Sequence, residues 1–176
     1  TFHKGLWLGL SKAAAVLCKH FGSYMINHFR TFYQDIYSPT FFALSDKATG
    51  EDVSRHSCSK HIIHFLSFFA ETKAVSATYG SNERWLRTEA LMELIARPDS
   101  KLQLAALQCI LTWKEPFVRH YRESLTRLID EKTFRDELAL FSWEKVDPSH
   151  RRGFLPVLIR VLYGKMQLRK GSGSGK

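Results

Sequence analysis

The chain has little of what would mark a membrane protein, a secreted scaffold or a metalloenzyme. Three cysteines occur among its 176 residues, Cys18, Cys58 and Cys109. They are odd in number and far apart, which excludes a disulfide framework and points to a reducing compartment. No apolar run reaches the roughly 20 residues a membrane helix needs. The strongest, residues 6–18, is interrupted by Ser11 and Lys12 and followed by more helix-like sequence, so it reads neither as a span nor as a secretory signal. Prolines number five and glycines ten, three of the latter in the last six residues. No segment alternates apolar and polar residues in the manner of a half-buried strand. Beyond Asp147 there is no acidic residue.

What is present is helical periodicity. Residues 97–143 organise the chain. Pro98 and Asp99 mark a helix start, with Asp99 or Ser100 placed to accept from the free N–H groups of the first turn. Leu102, Ala105, Ala106, Cys109, Ile110 and Trp113 follow at helical spacing. Pro116 stops this helix or opens the next. Val118, Tyr121, Leu125, Leu128 and Ile129 then share one face. Two such helices joined by a tight turn form an antiparallel hairpin with apolar surface to spare, the mark of a stacked repeat.

The same reading extends outwards. Residues 5–37 form one long helix, or two joined near Gly22, and His28, Phe29, Phe32, Tyr33, Ile36 and Tyr37 continue an aromatic-rich face. Residues 45–59 are polar and aperiodic and read as a loop. Residues 61–73 resume helix, apolar almost all round. Asn82 is expected to cap a helix through about Ala96 that buries Trp85, Leu86, Ala90, Leu91, Leu94 and Ile95. Thr133 and Asp136 have the spacing of a capping box with the acid one carbon short. Asp147-Pro148-Ser149 is expected as a turn. Pro156 is expected to open a last helix burying Val157, Leu158, Val161, Leu162 and Met166. The expected architecture is all-α, a HEAT- or armadillo-like solenoid segment of antiparallel hairpins. Its parts are apolar N-terminal helices in 1–44, a polar loop in 45–59, helical repeats in 60–168 and a basic Gly/Ser tail in 169–176. A start at Thr1 and a Gly/Ser end are what an excised piece of a longer chain would show.

Charge separates the ends. The net charge of +9 is distributed as +3 over residues 1–60, −1 over 61–148 and +7 over 149–176. A local positive block favours a polyanion or an acidic surface. Arg151, Arg152, Arg160, Lys165, Arg169 and Lys170 are therefore the candidates for RNA-phosphate contact, since guanidinium and ammonium groups neutralise phosphates and release counterions. A solvated surface with helix-end cations is the plainer reading of the same residues.

Other chemistry is sparse. Cys58, His61 and His64, with His56 nearby, are the one metal-like cluster, but zinc sites want a second ligand pair and none is spaced for it. The tail 171–176 superficially resembles a phosphate loop, yet Lys170 stands where the first glycine is required and no strand precedes it. Glu89, Glu93 and Arg97 have surface ion-pair spacing. No catalytic constellation and no cofactor site follows from the sequence.

One succession is specific. Lys101-Leu-Gln-Leu-Ala-Ala-Leu-Gln-Cys-Ile-Leu-Thr-Trp-Lys114 is followed by Tyr121-Arg-Glu-Ser-Leu125, Phe134-Arg-Asp-Glu-Leu138 and Phe141-Ser142, and then by His150-Arg151 and Leu155-Pro-Val-Leu-Ile-Arg-Val-Leu-Tyr-Gly164-Lys-Met166. Over roughly residues 60–170 this resembles the down-regulated-in-metastasis family, large helical-repeat components of the small-subunit processome. The resemblance implies a nucleolar, non-catalytic scaffold acting in pre-ribosomal RNA processing and small-subunit assembly. Its implied partners are the pre-ribosomal RNA and small nucleolar RNA particle, other processome proteins and flanking repeats of the same longer chain, with no membrane. The competing expectation is a HEAT-type protein–protein adaptor, such as a transport receptor or phosphatase scaffold, that binds no RNA.

Overall fold

The computed structural model describes residues 14–37, 51–72 and 82–171, with side chains over 22–37, 57–71 and 82–167. The expected helix over 5–13, the loop over 45–50 and the tail over 172–176 lie outside the described residues. Among those described there are helices and turns and no strand. The chain divides into two compact units, Thr1–Glu83 and Arg84–Lys176.

The first unit contains α1 (Ala14–Phe32), which continues as the π-helical stretch Tyr33–Tyr37, and α2 (Glu51–Thr72). α1 passes through Gly22 without a break. Ile26, Phe29, Tyr33 and Tyr37 recur at steps of three and four and are all buried. They pack on Ile62, Phe65, Leu66, Phe68 and Phe69 of α2, buried as well. Phe29 is at the centre, its ring centroid 5.3 Å from those of both Phe65 and Phe69 and 5.9 Å from that of Tyr33. These tilted and edge-on arrangements are the ones aromatic quadrupoles favour.

The expected loop is wrong from residue 51 onwards. α2 already begins at Glu51. Cys58 and Ser59 are buried at the positions that lead into Ile62 and Leu66. The sequence looks aperiodic there because its buried positions are filled by small polarisable or polar side chains. Asn82 begins the next helical turn, but its amide does not cap. It accepts from Arg30 Nη1 at 2.9 Å and donates to Asn27 Oδ1 at 2.7 Å.

The second unit opens with α3 (Asn82–Trp85), the first two residues of which belong to the first unit, then a π-helical stretch Leu86–Ala90 and α4 (Leu91–Leu94). α5 (Ser100–Thr112), α6 (Pro116–Arg119), α7 (Arg122–Ile129) and α8 (Phe134–Leu140) follow, then a 3-10 turn at Trp143–Lys145 and α9 (Pro148–Gly171). α5 packs on α4 and α7, and α9 packs on α4, α6 and α7. Asp99 caps α5, accepting from Lys101 N at 2.9 Å and Leu102 N at 3.1 Å. Lys114, at φ 55, takes the left-handed conformation that ends a helix, and Pro116 opens α6. Thr133 makes no capping bond; its hydroxyl instead donates to Arg127 O at 2.8 Å.

α9 corrects the expected end of the chain. It starts at Pro148, not Pro156, because Asp147 caps it. The Asp147 carboxylate accepts from Ser149 N at 2.8 Å and Ser149 Oγ at 2.6 Å. Those bonds, and then the nearby histidines His150 and His120, hold its pKa below the usual carboxylate range. Pro156 therefore sits inside α9, exposed, without an N–H for the helix ladder. Phe154, Val157, Leu158 and Val161 form the inner face, joined by Lys165; the expected Met166 is 61% exposed. Gly164 lets α9 come in close. A Cβ there would stand 2.7 Å from the carbonyl oxygen of Arg97 and 3.0 Å from that of Ala96.

Candidate nucleic-acid interface

Of the six cations proposed from the sequence, the four with described side chains, Arg151, Arg152, Arg160 and Lys165, sit in different surroundings. Arg151 is half-buried and spent on its own fold. Its Nε donates to Val146 O at 3.0 Å and its Nη2 to Glu144 O at 3.3 Å, and its guanidinium lies 5.7 Å from the Trp143 ring centroid. It thereby satisfies carbonyls left open where the 3-10 turn gives way to α9. Arg152 is exposed. Arg160 is half-buried, its Nη1 donating to Pro156 O at 3.0 Å. Arg169 and Lys170 lie on helical backbone whose side chains are outside the described set.

Lys165 leaves the candidate set. It is only 4% exposed, and its ammonium donates to Ser100 Oγ at 2.6 Å. Ser100 Oγ in turn donates to Glu131 Oε1 at 3.2 Å. A cation on α9 is thus tied to the start of α5 and to the turn between α7 and α8. Burial lowers the Lys165 pKa, opposed by the nearby carboxylates of Glu131, Asp130 and Asp99. A lysine held this way cannot reach a phosphate without unpacking α9.

From Leu155 to Met166 α9 also has an apolar outward stripe. Leu155, Ile159, Tyr163 and Met166 are 41–61% exposed. At steps of three, four and seven they share one stripe. The last helix is therefore apolar on two faces, with Arg152 near one end of the outer stripe.

The metal-like cluster is not gathered. Cys58 is buried and His61 exposed, its Nδ1 2.9 Å from Ser57 O. His64 is half-buried, and burial, then the charge of His61, lowers its pKa. Among the described residues no group of three or more His, Cys, Asp or Glu side chains is placed to hold a metal ion. No described helix is long and apolar enough to cross a membrane.

The sequence did not reveal a cavity of about 310 Å³ in the second unit, lined by Met92, Ile110, Trp113, Phe117, Pro156 and Val157, with Arg87, Thr88, Glu115, Gly153 and Arg160 completing it. Its parts come from three stretches of sequence, residues 87–92, 110–117 and 153–160, which no local periodicity can bring together.

Comparison with known proteins agrees with the motif succession. The family described as "U3 small nucleolar RNA-associated protein 20, N-terminal" matches residues 56–176. A U3 small nucleolar RNA-associated protein 20 of Schizosaccharomyces pombe is 37% identical over 95 residues, 51% of this chain. That of Saccharomyces cerevisiae is 26% identical over 113 residues, 62% of this chain. The chain spans about 4% of the length of each of these relatives. With more than half of its residues matched in one stretch, the chain belongs to the family of the N-terminal region of U3 small nucleolar RNA-associated protein 20.

Proposed function

We propose that this chain is a non-catalytic scaffold segment of the small-subunit processome. It acts in pre-ribosomal RNA processing and small-subunit assembly, in the nucleolus. The observation that carries this reading is the family match over residues 56–176, to proteins named for association with U3 small nucleolar RNA. Its partners are then the pre-ribosomal and small nucleolar RNA particle, other processome proteins and the flanking repeats of a longer chain.

The surface of α9 weights the contacts. Arg152, Arg169 and Lys170 remain as phosphate contacts, Arg151 and Arg160 contribute only a residual field, and Lys165 contributes none. An apolar outer stripe favours protein contact over a continuous phosphate track. The segment works mainly by holding proteins, with RNA touched near the ends of α9.

Affinity capture of the tagged chain from nuclear extract, followed by sequencing of the RNA and identification of the proteins recovered, tests this. Enrichment of U3 small nucleolar RNA and pre-ribosomal RNA together with processome proteins is expected. Capture of transport or phosphatase subunits without either RNA would overturn it in favour of the adaptor. For the phosphate contacts, the log–log salt slope of binding to a ribosomal RNA fragment should fall by about 0.7 to 0.9 per contact removed in Arg152→Gln, Arg169→Gln and Lys170→Gln. An unchanged slope would remove RNA from α9.

A further inference from the structure

The cavity of the second unit has the chemistry of a binding site and no role in the scaffold just proposed. Its walls are apolar, from Met92 of α4, Ile110 and Trp113 at the end of α5, Phe117 of α6, and Pro156 and Val157 of α9. At about 310 Å³ it lies at the small end of ligand pockets, room for one or two side chains rather than a cofactor. Gly153 shapes it. A Cβ at Gly153 would meet the Phe117 ring at 2.7 Å, so the missing side chain is what lets that ring lie flush against α9.

Two guanidiniums line this apolar space. Arg87 pairs with Glu115, the one carboxylate in the lining, and its guanidinium carbon stands 5.3 Å from the Trp113 ring centroid. The pair fixes Arg87 over the indole, where cation–π attraction adds to the ion pair. Arg160 makes no ion pair among the described residues; its Nη1 is turned to the Pro156 carbonyl, which leaves the rest of its fork available. Thr88 Oγ1 is committed to Arg84 O at 2.8 Å. The lining is thus apolar, with one cation in excess of its acid.

We propose that this cavity is a docking site for a short acidic segment of a partner protein, one that places an aromatic or aliphatic side chain into the pocket and an adjacent carboxylate on Arg160. Charge complementarity selects this occupant. The apolar walls need an apolar side chain, and the one guanidinium without an acid needs a carboxylate beside it, the geometry of a bidentate Arg–carboxylate pair. A nucleotide base fits less well. One face of Trp113 is already covered by Arg87, and the lining offers a single free cation with no row of further cations to follow a phosphate chain.

The test uses the 176-residue chain and three blocked peptides: acetyl-Asp-Phe-Glu-Leu-amide, its neutral twin acetyl-Asn-Phe-Gln-Leu-amide, and the basic acetyl-Lys-Phe-Lys-Leu-amide. A uridine decamer is run beside them. Binding is read from the Met92 methyl and Trp113 indole N–H resonances. The acidic peptide should shift both and bind at least about fivefold more tightly than the neutral twin, a margin in the range of one charged hydrogen-bonded pair. Arg160→Gln should abolish that margin. Arg160→Glu should turn the preference to the basic peptide, a gain that simple unfolding cannot produce. Equal binding of acidic and neutral peptides, no shift at millimolar peptide, or shifts by the decamer alone would each overturn the proposal. None of these outcomes bears on recovery of U3 small nucleolar RNA, so this site and the scaffold role fail separately.

Discussion

The two units reach a packed helical core by different means. In the first, two long helices meet through rings, with Phe29, Tyr33, Tyr37, Phe65, Phe68 and Phe69 all buried. In the second, several shorter helices and the long α9 are positioned by polar anchors set into a mostly aliphatic core. Gln103 is 0% exposed, and its Nε2 donates to Ile95 O at 2.8 Å and to Val161 O at 3.2 Å. It thereby links the end of α4 to the middle of α9. Lys165, Ser100 and Glu131 make a second link. An aromatic interface tolerates small shifts, because many ring orientations are nearly equal in energy. A buried amide holding two carbonyls does not, because losing either bond leaves a polar group dry. The first unit is built on area and the second on registration.

The largest effect should come from the ring cluster. Phe29→Ala removes a fully buried side chain that contacts three rings and should cost about 3–5 kcal/mol, measured by denaturant unfolding. Hydrogen exchange should show lost protection in α1 and α2. A cost below about 1 kcal/mol would mean that the rings do not form the core of the first unit. Next comes a test of registration. Gly164→Ala drives a methyl against two backbone carbonyls and against Gln103 Nε2, and should cost about 1–3 kcal/mol. Gly153→Ala meets only the Phe117 ring, which can swing, and should cost less in the same melt. Equal costs would blur the distinction between backbone and side-chain contact on which the second unit depends.

This contrast also explains what was legible in the sequence. Helix class and most core positions follow from spacing alone. Leu102, Ala105, Ala106, Cys109 and Ile110 on α5, and Val118, Leu125, Leu128 and Ile129 after it, are buried as their periodicity requires. Errors fall where polar residues are buried or where one rule fits two places. The start of α2 was missed because Cys58 and Ser59 occupy buried positions. Pro148 and Pro156 both satisfy the preference for proline at a helix start, and only the bonds made by Asp147 decide between them. Lys165 read as a phosphate contact because its burial depends on Ser100 and on acids some 30 to 65 residues away, approximately, beyond any local pattern. The carbonyl partners of Arg151 have no sequence signature either. Arg152 is exposed, as a phosphate contact would have to be.

Caps give a smaller and sharper test within the second unit. Asp99→Ala removes two bonds to the first turn of α5 and should lower stability by about 0.5–2 kcal/mol. Thr133→Ala removes no capping bond, only one to the Arg127 carbonyl, and should cost less by the same thermal melt. If Thr133 proved the costlier of the two, the capping box that its spacing with Asp136 implies would form in solution after all.

The smallest effect is the most diagnostic of registration, because it follows one proton. Burial lowers the Lys165 pKa more than Glu131, Asp130 and Asp99 raise it, so the folded protein holds that proton less tightly than the unfolded chain does. Between the lowered folded pKa and the ordinary lysine value, the unfolded state binds more protons, and stability rises with pH. The contribution runs opposite to that of a lysine stabilised by an ion pair, whose support is lost as pH rises. Lys165→Met keeps the length and apolar stem and removes the titration. The stability of the native chain relative to Lys165→Met should therefore increase as pH is raised from neutral towards 10, read from urea midpoints of the two proteins in matched buffers. A difference that shrinks over that range would mean that the acids around Ser100 outweigh burial. Lys165 would then stabilise the fold as a buried, ion-paired cation, and its support would be lost as pH rises.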